Sequence, residues 1–307
     1  MFEGERELNR EAWSPRAPGK ETLGILGPGV LGLSAAQWAT RCGLNVRLLG
    51  RDEAHANGGL AELERRWNRQ VNQGKLDEEG RLRLRARVEG ADFSREAIQD
   101  LSAILEAVPE DRALKVSLLA DLGRWALADM LCLTGTSGLP VGPMAQEAGL
   151  QGRLVGFHLF VPVGSMGVVE LAIPEETSDR TRSQALALAA ALKKRPVMVR
   201  DQPGFAAARM ALAQGLEAIR LVEAGAASAE DLDALMTLGY GHPVGPLELS
   251  DRIGLDLRLA IAEGIHRTSA DPTFRPPELL RAMVARGACG RRAGRGFYRW
   301  DAEGRRM

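Results

Sequence analysis

The run Gly27-Pro28-Gly29-Val30-Leu31-Gly32 is the part of this 307-residue chain whose residue types and spacing speak most directly of chemistry. The first glycine allows a tight turn, the second lets an anionic group come close to the main chain, and the third lets a helix touch a strand. A diphosphate can then rest on a helix N-terminus, where unpaired N–H groups and the macrodipole favour an anion. Val30 and Leu31, inside the turn, are expected beside the same ligand, a dinucleotide cofactor.

The segment Leu48-Leu49-Gly50-Arg51-Asp52 bears on which dinucleotide it is. A strand in this place normally ends in an acid that holds the ribose hydroxyls. Gly50 stands there instead, so a charge that would repel a 2′-phosphate is missing, and Arg51 offers a cation beside it. If Asp52 reaches back to the ribose, the cofactor is NAD(H); if Arg51 meets a phosphate, it is NADP(H). The sequence leaves NAD and NADP both open.

These residues need a βαβ frame, and the pattern supplies one. TLGILG from Thr22 is an apolar run bounded by glycine, VLGLSAAQWATRC from Val30 has helical character, and LNVRLL from Leu44 is a second strand-like run. Residues 53–90 are rich in Arg and Glu, with Leu60, Leu63, Trp67 and Val71 at helical spacing and a break at Gly74; they read as a helical hairpin standing out from the sheet. Further strands are expected over 102–108, 130–134, 153–160, 167–173 and 196–199, with a helix from about Asp111. Helices are expected over 205–223, 229–238, 246–253, 256–266 and 277–286. The expected fold is α/β: a Rossmann-type dinucleotide-binding domain over residues 21–200 with a hairpin insertion, then an all-α domain over 201–307. The Asp201-Gln202-Pro203-Gly204 turn marks the junction.

Composition narrows the partners. Lysine plus arginine (40) equals aspartate plus glutamate (40), so no net field draws the chain to nucleic acid or to an acidic membrane. No stretch approaches the roughly 20 apolar residues of a membrane span. Residues 1–20 are charged, lack an apolar leader core and read as a flexible, solvated tail. Cys42, Cys132 and Cys289 fit neither a disulfide framework nor a zinc site, so no metal is expected and a cytoplasmic location is.

From Gly24 to Trp300 the order of motifs resembles the 3-hydroxyacyl-CoA dehydrogenases. The residues that carry this are Glu106-Ala107-Val108-Pro109-Glu110-Asp111, Thr136-Ser137, Gly156-Phe157-His158-Leu159-Phe160, Val169-Glu170, Asp201-Gln202-Pro203-Gly204-Phe205, His242-Pro243-Val244-Gly245-Pro246 and Gly294-Arg295-Gly296-Phe297-Tyr298. The resemblance implies hydride transfer between a nicotinamide dinucleotide and the 3-position of an acyl thioester. It also implies a homodimer formed through the helical domain.

Residue by residue, the resemblance implies that His158 is the catalytic base, Glu170 its orienting carboxylate and Ser137 a hydroxyl on the substrate oxygen. It places Glu110 and Lys115 near the nicotinamide half of the cofactor. The chemistry suits them: hydride loss from a carbinol needs the hydroxyl proton removed, and a group with an ordinary pKa of about 6.5 accepts it at neutral pH. A carboxylate on the other ring nitrogen fixes the tautomer and stabilises the imidazolium. His242 reads as structural, and His55 and His266 as helix-surface residues.

Three positions depart from the family: its usual asparagines are replaced by Gly135, Val161 and Ala208. Val161 and Ala208 would make the substrate pocket more apolar or roomier. An unusual acyl group, or a thioester on acyl carrier protein rather than coenzyme A, is the expected consequence. Arg65, Arg66, Arg69 and Lys75 on the hairpin read either as a solvated helix face or as a surface for the carrier's phosphates. Outside this reading stand a cofactor-binding protein with little turnover and a dehydrogenase of a free hydroxy acid or sugar acid.

Overall fold

The computed structural model describes residues 22–307; the tail expected over 1–20 lies outside the described residues. The chain forms two compact units, one ending at Gln202 and the other Pro203–Met307.

The first unit runs β1 (Thr22–Leu26), α1 (Val30–Arg41), β2 (Asn45–Gly50), α2 (Glu53–Asn72), α3 (Glu78–Arg85), β3 (Val88–Asp92) and a single turn, α4 (Arg95–Ile98). It continues β4 (Ala103–Glu106), α5 (Arg112–Trp125), β5 (Leu131–Thr134), α6 (Val141–Glu147), β6 (Leu154–Leu159), β7 (Val168–Ile173), α7 (Asp179–Ala191) and β8 (Arg195–Arg200). All eight strands join one sheet in the order β3-β2-β1-β4-β5-β6-β7-β8. Neighbours are parallel except β6 and β7, which are antiparallel.

Strands β4 and β5 are buried at every residue, as expected where a parallel sheet is covered on both faces. Helix α1 buries Gly32, Ala35, Ala36 and Ala39, small residues that let it lie close to the strands. The strand order reverses between β1 and β4, and this switch point opens a crevice outside the carboxyl ends of the strands.

The hairpin does not stand clear of the sheet. Ala56, Gly59, Leu63 and Trp67 form one buried face of α2, and Leu63 and Trp67 belong to the same core as Val46 and Leu48 of β2. The arginine-rich composition describes the opposite face, while the buried stripe needs few residues per turn. Strand β3, Val-Glu-Gly-Ala-Asp, has no apolar run; it is recognisable only through its parallel pairing with β2 at the sheet's edge.

The second unit contains α8 (Ala207–Glu223), α9 (Ala229–Ala234), α10 (Pro246–Ile253), α11 (Leu255–Ser269) and α12 (Glu278–Ala285). Helix α9 runs into a wider π turn over Leu235–Gly239. Leu216, Ile219, Leu247, Leu255 and Leu280 are among its fully buried core residues. Asp233 caps α10, accepting from Leu247 N (2.8 Å) and Glu248 N (2.8 Å). Asp251 accepts from Phe297 N (2.9 Å), Tyr298 N (2.9 Å) and Trp300 Nε1 (3.0 Å). Any side chain at Gly296 would collide with Asp251, its Cβ falling 2.0 Å from Oδ1. Gly245, whose Cβ would fall 2.2 Å from Asp233 Cγ, and Gly296 are thereby explained by two buried carboxylates, whereas Gly294 is required by its φ of +71°. Among the described residues no helix is long and apolar enough to cross a membrane.

Candidate active site

Strands β6 and β7 pair with His158 directly opposite Glu170. Opposed residues of an antiparallel pair point to the same face, so register alone brings the two side chains together. His158 Nδ1 lies 2.9 Å from Glu170 Oε2, with the histidine 12% and the glutamate 4% exposed. An ionised carboxylate only accepts, so Nδ1 carries the hydrogen and Nε2 the lone pair of the neutral ring. The Phe160 ring lies 4.5 Å from the imidazole, centroid to centroid, and limits its movement.

A second cluster follows the ends of β4 and β5. Glu110 Oε1 accepts from Thr136 Oγ1 (2.6 Å), Ser137 N (2.9 Å) and Ser137 Oγ (3.1 Å). Its other oxygen is 3.3 Å from Lys115 Nζ. Lys115 is 1% exposed, so it is not a surface lysine. It donates to both oxygens of Glu106 (2.8 and 3.1 Å) and to Val108 O (3.2 Å), and Thr134 Oγ1 donates to Glu106 Oε2 (2.7 Å). Such a buried pair is tolerable only when its remaining hydrogen-bonding capacity is filled, as it is here.

Ser137, His158, Glu170, Glu110 and Lys115 all belong to the sheet unit. Strands β5 and β6 are parallel neighbours with Thr134 opposite Gly156; Ser137 follows the end of β5, and His158 lies beyond Gly156 in β6. Val161 follows β6, with its side chain reaching the surface. Ala208 lies in the first turn of α8, in the helical unit. At Gly135 a Cβ would lie 2.7 Å from Leu31 Cδ2 and 3.0 Å from Glu106 O, so Leu31 fills the space that a larger residue would need.

Leu26, Gly27, Gly29, Val30, Leu31, Arg51, Val108 and Pro109 are among the residues lining a groove of about 770 Å³ at the switch point. Gly27 has φ +105°, and its missing Cβ makes room for Ala107. A Cβ at Gly32 would fall 2.0 Å from Gly27 O, whereas Gly29, at the N-terminus of α1, faces open space. The first turn of α1 contains no acid. These residues fit a dinucleotide, with Gly29 and the start of α1 toward its diphosphate.

Two buried charged side chains were given no role by the sequence. Glu106 ends an apolar strand as an unexplained acid, legible only once Lys115 is known to be buried. Lys194 donates to Val163 O (2.5 Å) and Met166 O (2.6 Å) and lies 4.3 Å over the Trp38 ring. It ties down the loop that begins at Val161, and burial lowers its pKa from the ordinary lysine value. The arginines of α2 are largely accounted for: Arg65, Arg66 and Arg69 all reach Glu62 (2.9, 3.0 and 3.5 Å). The hydrogen bonds from Arg66 and Arg65 hold the Glu62 carboxyl down at about 2. The solvated-face reading of that run is the one these contacts support.

A groove for a dinucleotide and, on the same sheet, a histidine oriented by a carboxylate are the attributes of a nicotinamide-dependent oxidoreductase. The family model for the 3-hydroxyacyl-CoA dehydrogenase NAD binding domain matches residues 22–202, and that for the C-terminal domain matches residues 204–300. A probable 3-hydroxybutyryl-CoA dehydrogenase of Deinococcus radiodurans is 33% identical over 91% of this chain and 99% of its own length. One from Bacillus subtilis is 34% identical over 90% and 96%. The crystal structure of (S)-3-hydroxybutyryl-CoA dehydrogenase from Ralstonia eutropha superimposes with a TM-score of 0.86 at 35% identity, covering 92% of this chain and 99% of that one.

This chain belongs to the 3-hydroxyacyl-CoA dehydrogenase family. It is an NAD-dependent oxidoreductase acting on the 3-hydroxyl of an acyl-CoA thioester.

Proposed function

We propose that His158 is the general base of this reaction, Glu170 its positioning carboxylate and Ser137 the hydroxyl that contacts the substrate oxygen. The observation that carries the reading is the 2.9 Å contact between His158 Nδ1 and Glu170, set by strand register. With Nδ1–H donated to Glu170, Nε2 takes the proton of the 3-hydroxyl as the carbon–hydrogen bond breaks. The imidazolium formed is stabilised by the adjacent carboxylate, and in the reverse direction it returns the proton to the 3-oxo oxygen. The nicotinamide, when bound, accepts or supplies the hydride. Glu110 holds Ser137 and Thr136 in place, and Lys115 keeps Glu110 from turning away. Val161, exposed beyond β6 on the sheet unit, shapes the preference for the acyl group.

The sheet unit is the dinucleotide domain and the helical unit, from about residue 201, the substrate and dimerisation domain. Pairing of two copies through the helical unit is supported by an exposed apolar group, Leu235, Leu238 and Tyr240, with Leu238 87% exposed. Free Cys42, Cys132 and Cys289 suit a reducing, cytoplasmic setting. The carrier is coenzyme A; acyl carrier protein is the variant to test beside it.

The decisive experiment follows NADH oxidation with acetoacetyl-CoA, the matching acyl-carrier thioester and free acetoacetate at equal concentration. Turnover of a thioester that disappears in His158→Ala supports the reading. Cofactor binding without turnover of any thioester, or faster turnover of the free acid, overturns it. Sedimentation gives the assembly: a dimer is expected, and Leu238→Glu should shift it toward monomer.

A further inference from the structure

The adenosine end of the groove distinguishes the two roles open to Asp52. Asp52 Oδ1 accepts from His55 N (2.7 Å) and caps α2. Its side chain is thus committed to the helix terminus, and Asp52 is not among the residues that line the groove. Arg51, His55, Leu49 and Phe93 are, and no carboxylate among the described residues lines that groove.

Gly50, where a ribose-binding acid would stand, is closed to side chains. A Cβ there would lie 2.6 Å from Ala56 N and 2.7 Å from Asp52 O, because the first turn of α2 sits against it. The groove therefore lacks the group that excludes a 2′-phosphate and carries in its lining the group that would bind one. Arg51 is 80% exposed, and its contact with Asp52, Nε to Oδ2 at 3.3 Å, is a surface ion pair of little worth that a phosphate can displace.

We propose that this end of the groove accepts a 2′-phosphate through Arg51, with His55 beside it, so that the chain takes NADP(H) as well as NAD(H). The proposal rests on the dinucleotide reading of the groove but not on the roles of His158 and Glu170.

The test uses ligands without a nicotinamide, so it is independent of turnover. Calorimetric titration of the full chain with 2′,5′-ADP and with 5′-AMP isolates the 2′-phosphate. The 2′,5′-bisphosphate is expected to bind at least as tightly as 5′-AMP, and Arg51→Ala to reduce its relative affinity about tenfold or more, the loss of one charge-assisted hydrogen bond. Tighter binding of 5′-AMP, or an unchanged ratio in Arg51→Ala, overturns the proposal. Failure of both ligands to bind would reject the dinucleotide groove itself and the proposal with it. Gly50→Asp is not a substitute, since the clash with Ala56 would perturb α2 whichever cofactor is preferred. With turnover as the readout, Arg51→Ala should lower kcat/KM for NADPH relative to NADH by a similar factor.

Discussion

In the sheet unit Glu106 meets Lys115 and Glu170 meets His158, whereas in the helical unit Asp233 and Asp251 spend their oxygens largely on main-chain N–H groups. All four carboxylates are buried. The difference lies in what they hold. A carboxylate facing an imidazole changes the stability of a partner whose own charge can change, so it can take part in moving a proton. A carboxylate wrapped by amides holds loop geometry: Asp233 fixes the start of α10, and Asp251 fixes the segment through Tyr298. Tyr298 joins them, its hydroxyl donating to Asp233 Oδ2 at 2.8 Å.

That contrast is open to direct attack. The largest effect should come from His158→Ala, with kcat lower by about 10²–10⁴ and a thermal midpoint close to wild type; a large drop in midpoint with intact kcat would make His158 a core residue instead. Next, Asp251→Ala should destabilise by about 3–5 kcal/mol, since several buried donors lose their acceptor at once. Denaturant unfolding would show it, and kcat measured well below the transition should survive. If kcat fell and stability did not, the division between the two kinds of carboxylate would be wrong. Glu170→Gln should be milder than His158→Ala, lowering kcat by about 10²-fold with little change in KM, because the ring remains but its protonated form loses its counter-charge.

Much of the fold was readable because it rests on local rules. The fingerprint glycines, the apolar runs of β4 and β5 and the change from β-branched runs to helical spacing after residue 200 each reflect a period or a steric need carried by neighbouring residues. Strand β3 was not readable, since Val-Glu-Gly-Ala-Asp at the sheet's edge has no apolar run and exists through its partner β2. The lie of α2 was misread for a related reason: Ala56, Gly59, Leu63 and Trp67 are four residues among many charged ones, and only packing shows that they face the core.

The sequence by itself determined which residues could do chemistry: a phosphate-binding turn, a histidine, a serine and acids of the right type. Tertiary structure decided what each of them meets. Register across an antiparallel pair joined His158 to Glu170, the approach of α5 to β4 buried Lys115 on Glu106, and the first turn of α2 closed Gly50 while drawing Asp52 into a cap. Such pairings join residues distant in sequence or depend on where a helix docks, and local propensity has no information about either.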